Sequence, residues 1–270
     1  MEPQGTEAGT APVCYRHPDR VTYLACTRCE RPICGDCSIE AAVGQRCPTC
    51  VMEQGTQRVI RRPAQRGLAQ RAPITMGILV VTVLAYIVAS VVPGARSLVV
   101  LVPAAVLEGD WWRILSHSLG HGGFLHLGVN MYALYILGQG LEARLGRLPF
   151  ISVWLFSAVA GGVAVTYLAD PFSGTVGASG AVFGLFGIWL GSAWVQRRSK
   201  AGNAQLRSIL SLLAINAFIS LLPGISWQGH LGGLIGGVVA YGILRTVKDR
   251  SAAAMLLLGL AGILVFATQL

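Results

Sequence analysis

Seven apolar stretches are spaced along the chain, at about residues 74–92, 124–141, 149–169, 178–195, 206–222, 228–245 and 252–268. Each approaches the ~20 residues that a helix needs to cross a bilayer. Most of the connections are short and polar. The longest, residues 93–123, carries Trp111, Trp112 and Arg113, residue types that favour the membrane–water interface. The pattern predicts an all-α polytopic membrane protein. The first stretch follows more than 70 mostly polar residues, so no cleavable signal peptide is expected.

Composition agrees with the pattern. The chain is 53% hydrophobic and 12% charged, against about 25% charged in soluble domains. Its net charge of +9 would suit nucleic acid, but the basic residues cluster between the apolar runs, where they set topology. No nucleic-acid partner is expected. With the N-terminus inside and residues 13–52 left out of the count, the inner segments carry fourteen Arg and Lys, and the outer ones only Arg96 and Arg113. This predicts a multi-pass protein of the cell membrane with a cytoplasmic N-terminus. Residues 53–73 form a basic linker with Arg58, Arg61, Arg62, Arg66 and Arg71, which adds attraction to anionic lipid headgroups. Residues 1–12 are expected to be a disordered tail.

All seven cysteines fall within residues 14–50, as Cys14-x2-His17, Cys26-x2-Cys29, Cys34-x2-Cys37 and Cys47-x2-Cys50. Seven thiols and His17 make eight ligands, enough for two tetrahedral, structural zinc sites. A disulfide framework competes with this reading. The odd count and the pairs with two residues between their members favour zinc. Residues 13–52 are too few to build an apolar core, so metal would supply the folding energy. Four successive ligand pairs suggest cross-bracing, the first with the third and the second with the fourth. Reduced thiols again favour the cytosolic side. With every position on each ion filled, such a module is expected to bind a cytosolic protein partner rather than to do chemistry.

Candidate chemistry lies in the apolar part. Residues 174–191 carry no charge, and Gly180, Gly184, Gly187 and Gly191 give that helix a small-residue face, which lets another backbone approach. Ser179 stands at its start. Gly229, Gly233 and Gly237 repeat the pattern beside His230. Two such helices can pack almost backbone to backbone, which would bring Ser179 within reach of His230. His126 and Asn130 are four apart, hence on one helix face. With the orientation above, all four residues fall at the outer ends of their helices. A membrane-embedded His must face protein or water. No Asp or Glu falls within the seven stretches, so the reading is a Ser–His dyad. His230 takes the Ser179 proton and returns it to the leaving amine. Phe183, one turn beyond Ser179, would stack on the imidazole. His126, Asn130 and the Ser179 backbone N–H would donate to a developing oxyanion. For each residue singly, a packing role is the simpler reading. Their common depth favours chemistry.

Trp112-Arg113, His117, His121, His126-x3-Asn130, Glu142-x3-Gly146, Gly177-Ala178-Ser179-Gly180 and Gly229-His230 follow one another in fixed order. With them, residues 111–250 resemble the rhomboid family of intramembrane serine proteases. The resemblance implies a six-helix membrane core over residues 74–250, with a seventh transmembrane helix over 251–270 of a kind found in part of the family. It implies Ser179 as nucleophile, His230 as base and His126 and Asn130 as oxyanion residues, with His117 and His121 in support. Phe183 stands where some members have Tyr, which keeps the stacking and removes a hydroxyl. Catalysis would need no cofactor. Substrates would be membrane proteins cut in or near a transmembrane helix, which must first unwind to expose a shielded peptide bond. The N-terminal ligand pattern resembles a B-box-type zinc finger, except that this family usually closes with a His pair where the chain has Cys47 and Cys50.

Other classes fit less well. The alternative is a catalytically silent rhomboid-like protein that binds membrane helices or acts as a scaffold, for which loss of Ser179 or His230 would have spoken. A transporter is expected to carry polar groups near the midplane, not at one face. A membrane metalloprotease needs His-Glu-x-x-His on a helix, which is absent. A zinc-dependent scaffold with a membrane anchor leaves the Ser and His cluster without a purpose.

Overall fold

A computed structural model describes residues 11–41, 43–53 and 72–270. Most of the expected tail and all five arginines of the basic linker lie outside the described residues. The chain divides into two compact units, Met1–Gln65 and Arg66–Leu270.

The first unit is built from short pieces. Strands β1 (Val13–Cys14) and β2 (His17–Val21) pair antiparallel, as do β3 (Ile39–Glu40) and β4 (Gln45–Arg46). A 3-10 turn at Gly35–Cys37 and a one-and-a-half-turn helix at Pro48–Glu53 complete it. Its interior consists of cysteines packed around Ile33. So little buried hydrocarbon cannot offset the ordering entropy of the chain.

In the second unit all seven apolar stretches are helices: α1 Pro73–Val91, α2 Phe124–Leu145, α3 Arg147–Leu168, α4 Ser179–Val195, α5 Lys200–Ser220, α6 Trp227–Thr246 and α7 Arg250–Ala267. Helices α1, α3 and α7 are long and apolar enough to cross a membrane, and α4 is a shorter apolar helix. Burial in α1 is inside out. Thr75 and Thr82 are buried, whereas Val80, Val81, Leu84, Ile87 and Val88 are exposed. This is the distribution expected where lipid is the solvent and apolar side chains face outward.

The centre is α4, enclosed by α3 and α6. Glycine makes this possible. A Cβ on Gly233 would strike the Gly180 carbonyl oxygen, and one on Gly237 would strike that of Gly184. A Cβ on Gly161 of α3 would come 2.9 Å from the Gly229 carbonyl oxygen. Each helical glycine costs about 1 kcal/mol in propensity. The close approach recovers that cost as packing.

Two helix bounds differ from the expected ones by more than two residues. Helix α5 starts at Lys200, not 206, because Ser199 caps it, its hydroxyl accepting the Gly202 N–H at 3.0 Å. Helix α2 runs to Leu145, not 141, so an acid does lie inside a helix. The buried Glu142 carboxylate accepts the N–H groups of Ile74 (3.0 Å) and Thr75 (2.8 Å) and the Thr75 hydroxyl (2.8 Å). It thereby serves the free donors at the start of α1. It lies about 24 Å along α2 from His126, so it adds nothing to the dyad.

Candidate active site and metal-binding clusters

Ser179, His230 and His126 all stand in the first turn of their helices, α4, α6 and α2. For α6 the start is fixed by Ser226, whose hydroxyl accepts the Gly229 N–H at 3.3 Å. For α4 it follows Gly177, whose φ of +136° is open to glycine. A Cβ there would lie 3.0 Å from His126 Nε2 and 3.5 Å from Ser179 Oγ. Gly177 therefore lets the His126 ring and the Ser179 hydroxyl share one small space.

The His230 ring lies flat on Phe183, with centroids 4.2 Å apart and planes 9° apart. Its Nδ1 is 2.6 Å from the hydroxyl of Ser220, the last residue of α5. Ser179 and His230 make no hydrogen bond to each other among the described residues. Such bonds are often long until substrate binds. The half-buried His126 accepts the Gly122 N–H at Nδ1 (3.3 Å). A nitrogen that accepts carries no proton, so the neutral ring bears its N–H on Nε2, the atom beside Gly177 and Ser179. Asn130 is buried and gives one amide N–H to the His126 carbonyl at 2.9 Å, which leaves its second N–H.

The remaining two His build the wall behind the site. The buried His117 donates from Nδ1 to the Arg113 carbonyl (3.2 Å), while its own carbonyl accepts the Gly177 N–H (2.9 Å). The His121 ring meets His126 edge-on at 5.0 Å. Leu101 and Thr175 exchange two backbone hydrogen bonds, at 2.9 and 2.8 Å, tying residues 93–123 to the loop before Ser179. Arg113 gathers that segment: it pairs with Asp110 at 2.7 Å and donates to the carbonyls of Ser97 and Val100.

Ser220 and the Gly122 amide are the contributors that sequence reasoning missed. A serine near the end of an apolar helix has many bland explanations, and a backbone N–H leaves no trace in sequence.

The metal candidates form two sets: Cys14, His17, Cys34 and Cys37, and Cys26, Cys29, Cys47 and Cys50. These are the first pair with the third, and the second with the fourth. All ligand atoms within a set lie within 4.8 Å of one another. A tetrahedral ion with Zn–S of about 2.3 Å and Zn–N of about 2.05 Å spaces two sulfurs about 3.8 Å apart, and sulfur and nitrogen about 3.6 Å. Cys29 and Cys47 Sγ are 3.8 Å apart, and His17 Nδ1 lies 3.7, 3.4 and 3.4 Å from the Cys14, Cys34 and Cys37 sulfurs. Backbone N–H groups of Cys47 and Cys50 point at Cys26 and Cys47 Sγ, at 3.3 and 3.4 Å, as suits thiolates. Both clusters fit a metal ion. Beside them, the Arg20 guanidinium holds the Asp36 carboxyl below its usual range.

Comparison with known proteins places this geometry. The family model described as Rhomboid domain matches residues 108–246. YdcA of Bacillus subtilis, named provisionally as a rhomboid protease, is 35% identical over 54% of this chain and 73% of its own length. The rhomboid protease GluP of the same organism is 32% identical over 58% of this chain and 31% of its length. RHOMBOID-like protein 5 of Arabidopsis thaliana is 34% identical over 54% of this chain and 48% of its length. The chain thus spans less than half the length of the last two. Matched to the family model across the segment that contains both Ser179 and His230, this chain belongs to the rhomboid family.

Proposed function

We propose that the chain is an intramembrane serine endopeptidase that hydrolyses peptide bonds in or near transmembrane helices of membrane-protein substrates. One observation carries the reading. The glycine faces of α4 and α6 meet at Gly180 and Gly233, so the helix that begins with Ser179 and the helix that presents His230 are held backbone to backbone. Ser179 Oγ attacks the scissile carbonyl as His230 Nε2 takes its proton. His230 then protonates the leaving amine, and water completes deacylation. His126 Nε2–H, the free amide N–H of Asn130 and the Ser179 backbone N–H stabilise the oxyanion. Phe183 holds the imidazole plane, and His117 and His121 support the loop and the His126 ring. The protease names of YdcA and GluP are consistent with this activity.

The charge count supports an N-terminus in the cytoplasm and a site that opens near the outer face. Residues 13–52 are then a cytosolic module holding two structural zinc ions, residues 53–73 a basic linker, residues 74–250 the catalytic core and residues 251–270 an added transmembrane helix. The test is cleavage of a model single-span substrate by purified protein in liposomes, with Ser179→Ala and His230→Ala beside it. Wild type should cut and both variants should not. Equal cutting by all three overturns the dyad. If none cuts, labelling by a serine-directed probe decides, and a wild type that does not label would leave only a helix-binding role.

A further inference from the structure

We infer that Ser220 is a positioning residue for the His230 base, holding the imidazole in the tautomer and rotation that hydrolysis needs. This rests on the proteolytic reading above. Ser220 is buried at the end of α5, with its Oγ 2.7 Å from the Asn216 carbonyl oxygen and 2.6 Å from His230 Nδ1. Two oxygens that close require a proton between them. The carbonyl has none, so the hydroxyl of Ser220 donates to Asn216. A hydroxyl has one proton to give. Toward His230 its oxygen must therefore accept, and Nδ1 must carry the N–H. The neutral ring is then unprotonated at Nε2, the nitrogen left to receive the Ser179 proton.

Phe183 cannot do this. A ring stacked face to face at 4.2 Å and 9° has its plane fixed, but it stays equally stacked when turned over about the Cβ–Cγ bond, which exchanges Nδ1 with Cδ2 and Nε2 with Cε1. Ser220 breaks that degeneracy, because only one edge of the imidazole can reach its oxygen. The two contacts together fix plane, rotation and tautomer.

The proton balance is simple. As Ser179 Oγ bonds to the substrate carbon, its proton moves to His230 Nε2. The ring becomes an imidazolium that keeps its N–H to Ser220, a contact that strengthens when the donor is charged. Nε2 then gives the proton to the leaving amine nitrogen. Ser220 keeps its own proton throughout, so it needs no carboxylate behind it. That is consistent with the buried acid inside α2, Glu142, being committed to the start of α1.

The test uses the full-length protein in liposomes, with Ser220→Ala, Ser220→Thr and Ser179→Ala. The Ala variant should lose kcat by about 10- to 100-fold, the range of a mis-set general base, with KM within about 2-fold of wild type. The Thr variant, which keeps the hydroxyl, should recover most of the loss. Nitrogen NMR of ring-labelled His supplies a readout that packing alone would not move. Wild-type His230 should be the Nδ1–H tautomer, and the Ala variant should shift toward Nε2–H. An unchanged kcat, or a loss of kcat with the tautomer unmoved, overturns the proposal. If the Ala variant does not fold, the wild-type spectrum decides alone, since an Nε2–H ring is incompatible with it. If wild type and Ser179→Ala cut alike, the proteolytic reading fails, while the spectrum still reports separately on the hydrogen bond.

Discussion

Gly233→Ala adds one methyl group where α6 touches α4. The added Cβ would overlap the Gly180 carbonyl oxygen and lie 2.6 Å from its carbon and 2.9 Å from its Cα. All three neighbours are backbone, so no side chain can rotate away and the helices must separate. Overpacking of this kind costs up to about 3 kcal/mol. Replacing a helical glycine with alanine returns about 1 kcal/mol of propensity, so the net loss should be about 2 kcal/mol. Gly242→Ala is the control. It lies on the same helix, and a Cβ there meets nothing within 4 Å, so it should gain up to about 1 kcal/mol. Activity should separate the two more sharply. Gly180 follows Ser179, and Gly233 is three residues from His230, so a separation of α4 and α6 moves nucleophile and base apart directly. A displacement of about 1 Å can cost about 100-fold in rate. Thermal unfolding in detergent and liposome cleavage would be measured on both variants. If Gly233→Ala matches Gly242→Ala in both, the backbone contact does not set the geometry of the site.

Other perturbations follow from the same contacts. Glu142→Ala strips a carboxylate from two backbone N–H groups and a hydroxyl, and should destabilise the membrane unit by about 2–4 kcal/mol; unchanged thermal unfolding would refute this. Gly177→Ala meets both a strained φ of +136° and the His126 ring at 3.0 Å, and should cost activity by more than about 10-fold through the His126 position, as liposome cleavage kinetics would show. Full-length protein should carry two zinc ions by elemental analysis, and Cys29→Ser should lower this to one by disrupting a single cluster. A chelator should unfold the N-terminal unit, which proteolysis within residues 13–52 would report; resistance with the metal removed would refute a structural role.

How much of this the sequence revealed depends on the kind of interaction. Helix existence was legible, because lipid enforces long apolar runs and leaves little else a segment can be. Helix ends were less so, since they turn on single capping groups such as Ser199 and Glu142 that hydropathy does not register. The meeting of α4 and α6 could be read from two glycine rows, because a glycine row in a costly position calls for a close neighbour. The same rows say nothing of α3, whose Gly161 and Ala160 also touch α6. The ligand pairing in the N-terminal unit was only partly readable, because four successive pairs can combine in three ways and the spacing does not choose among them; the coordinates join the first with the third and the second with the fourth. The setting of the His230 ring was not. It depends on Phe183 and Ser220 from two different helices, and only Phe183 lies at helical spacing from a residue that sequence singles out. Ser220 is ten residues from His230, across the turn that joins α5 to α6, and no periodicity links them. A catalytic side chain can be recognised from its chemical type. The group that orients it need only supply one lone pair at the right point, and almost any polar residue can do that. Orienting groups should therefore be sought in coordinates, by following each proton of the candidate base to its partner.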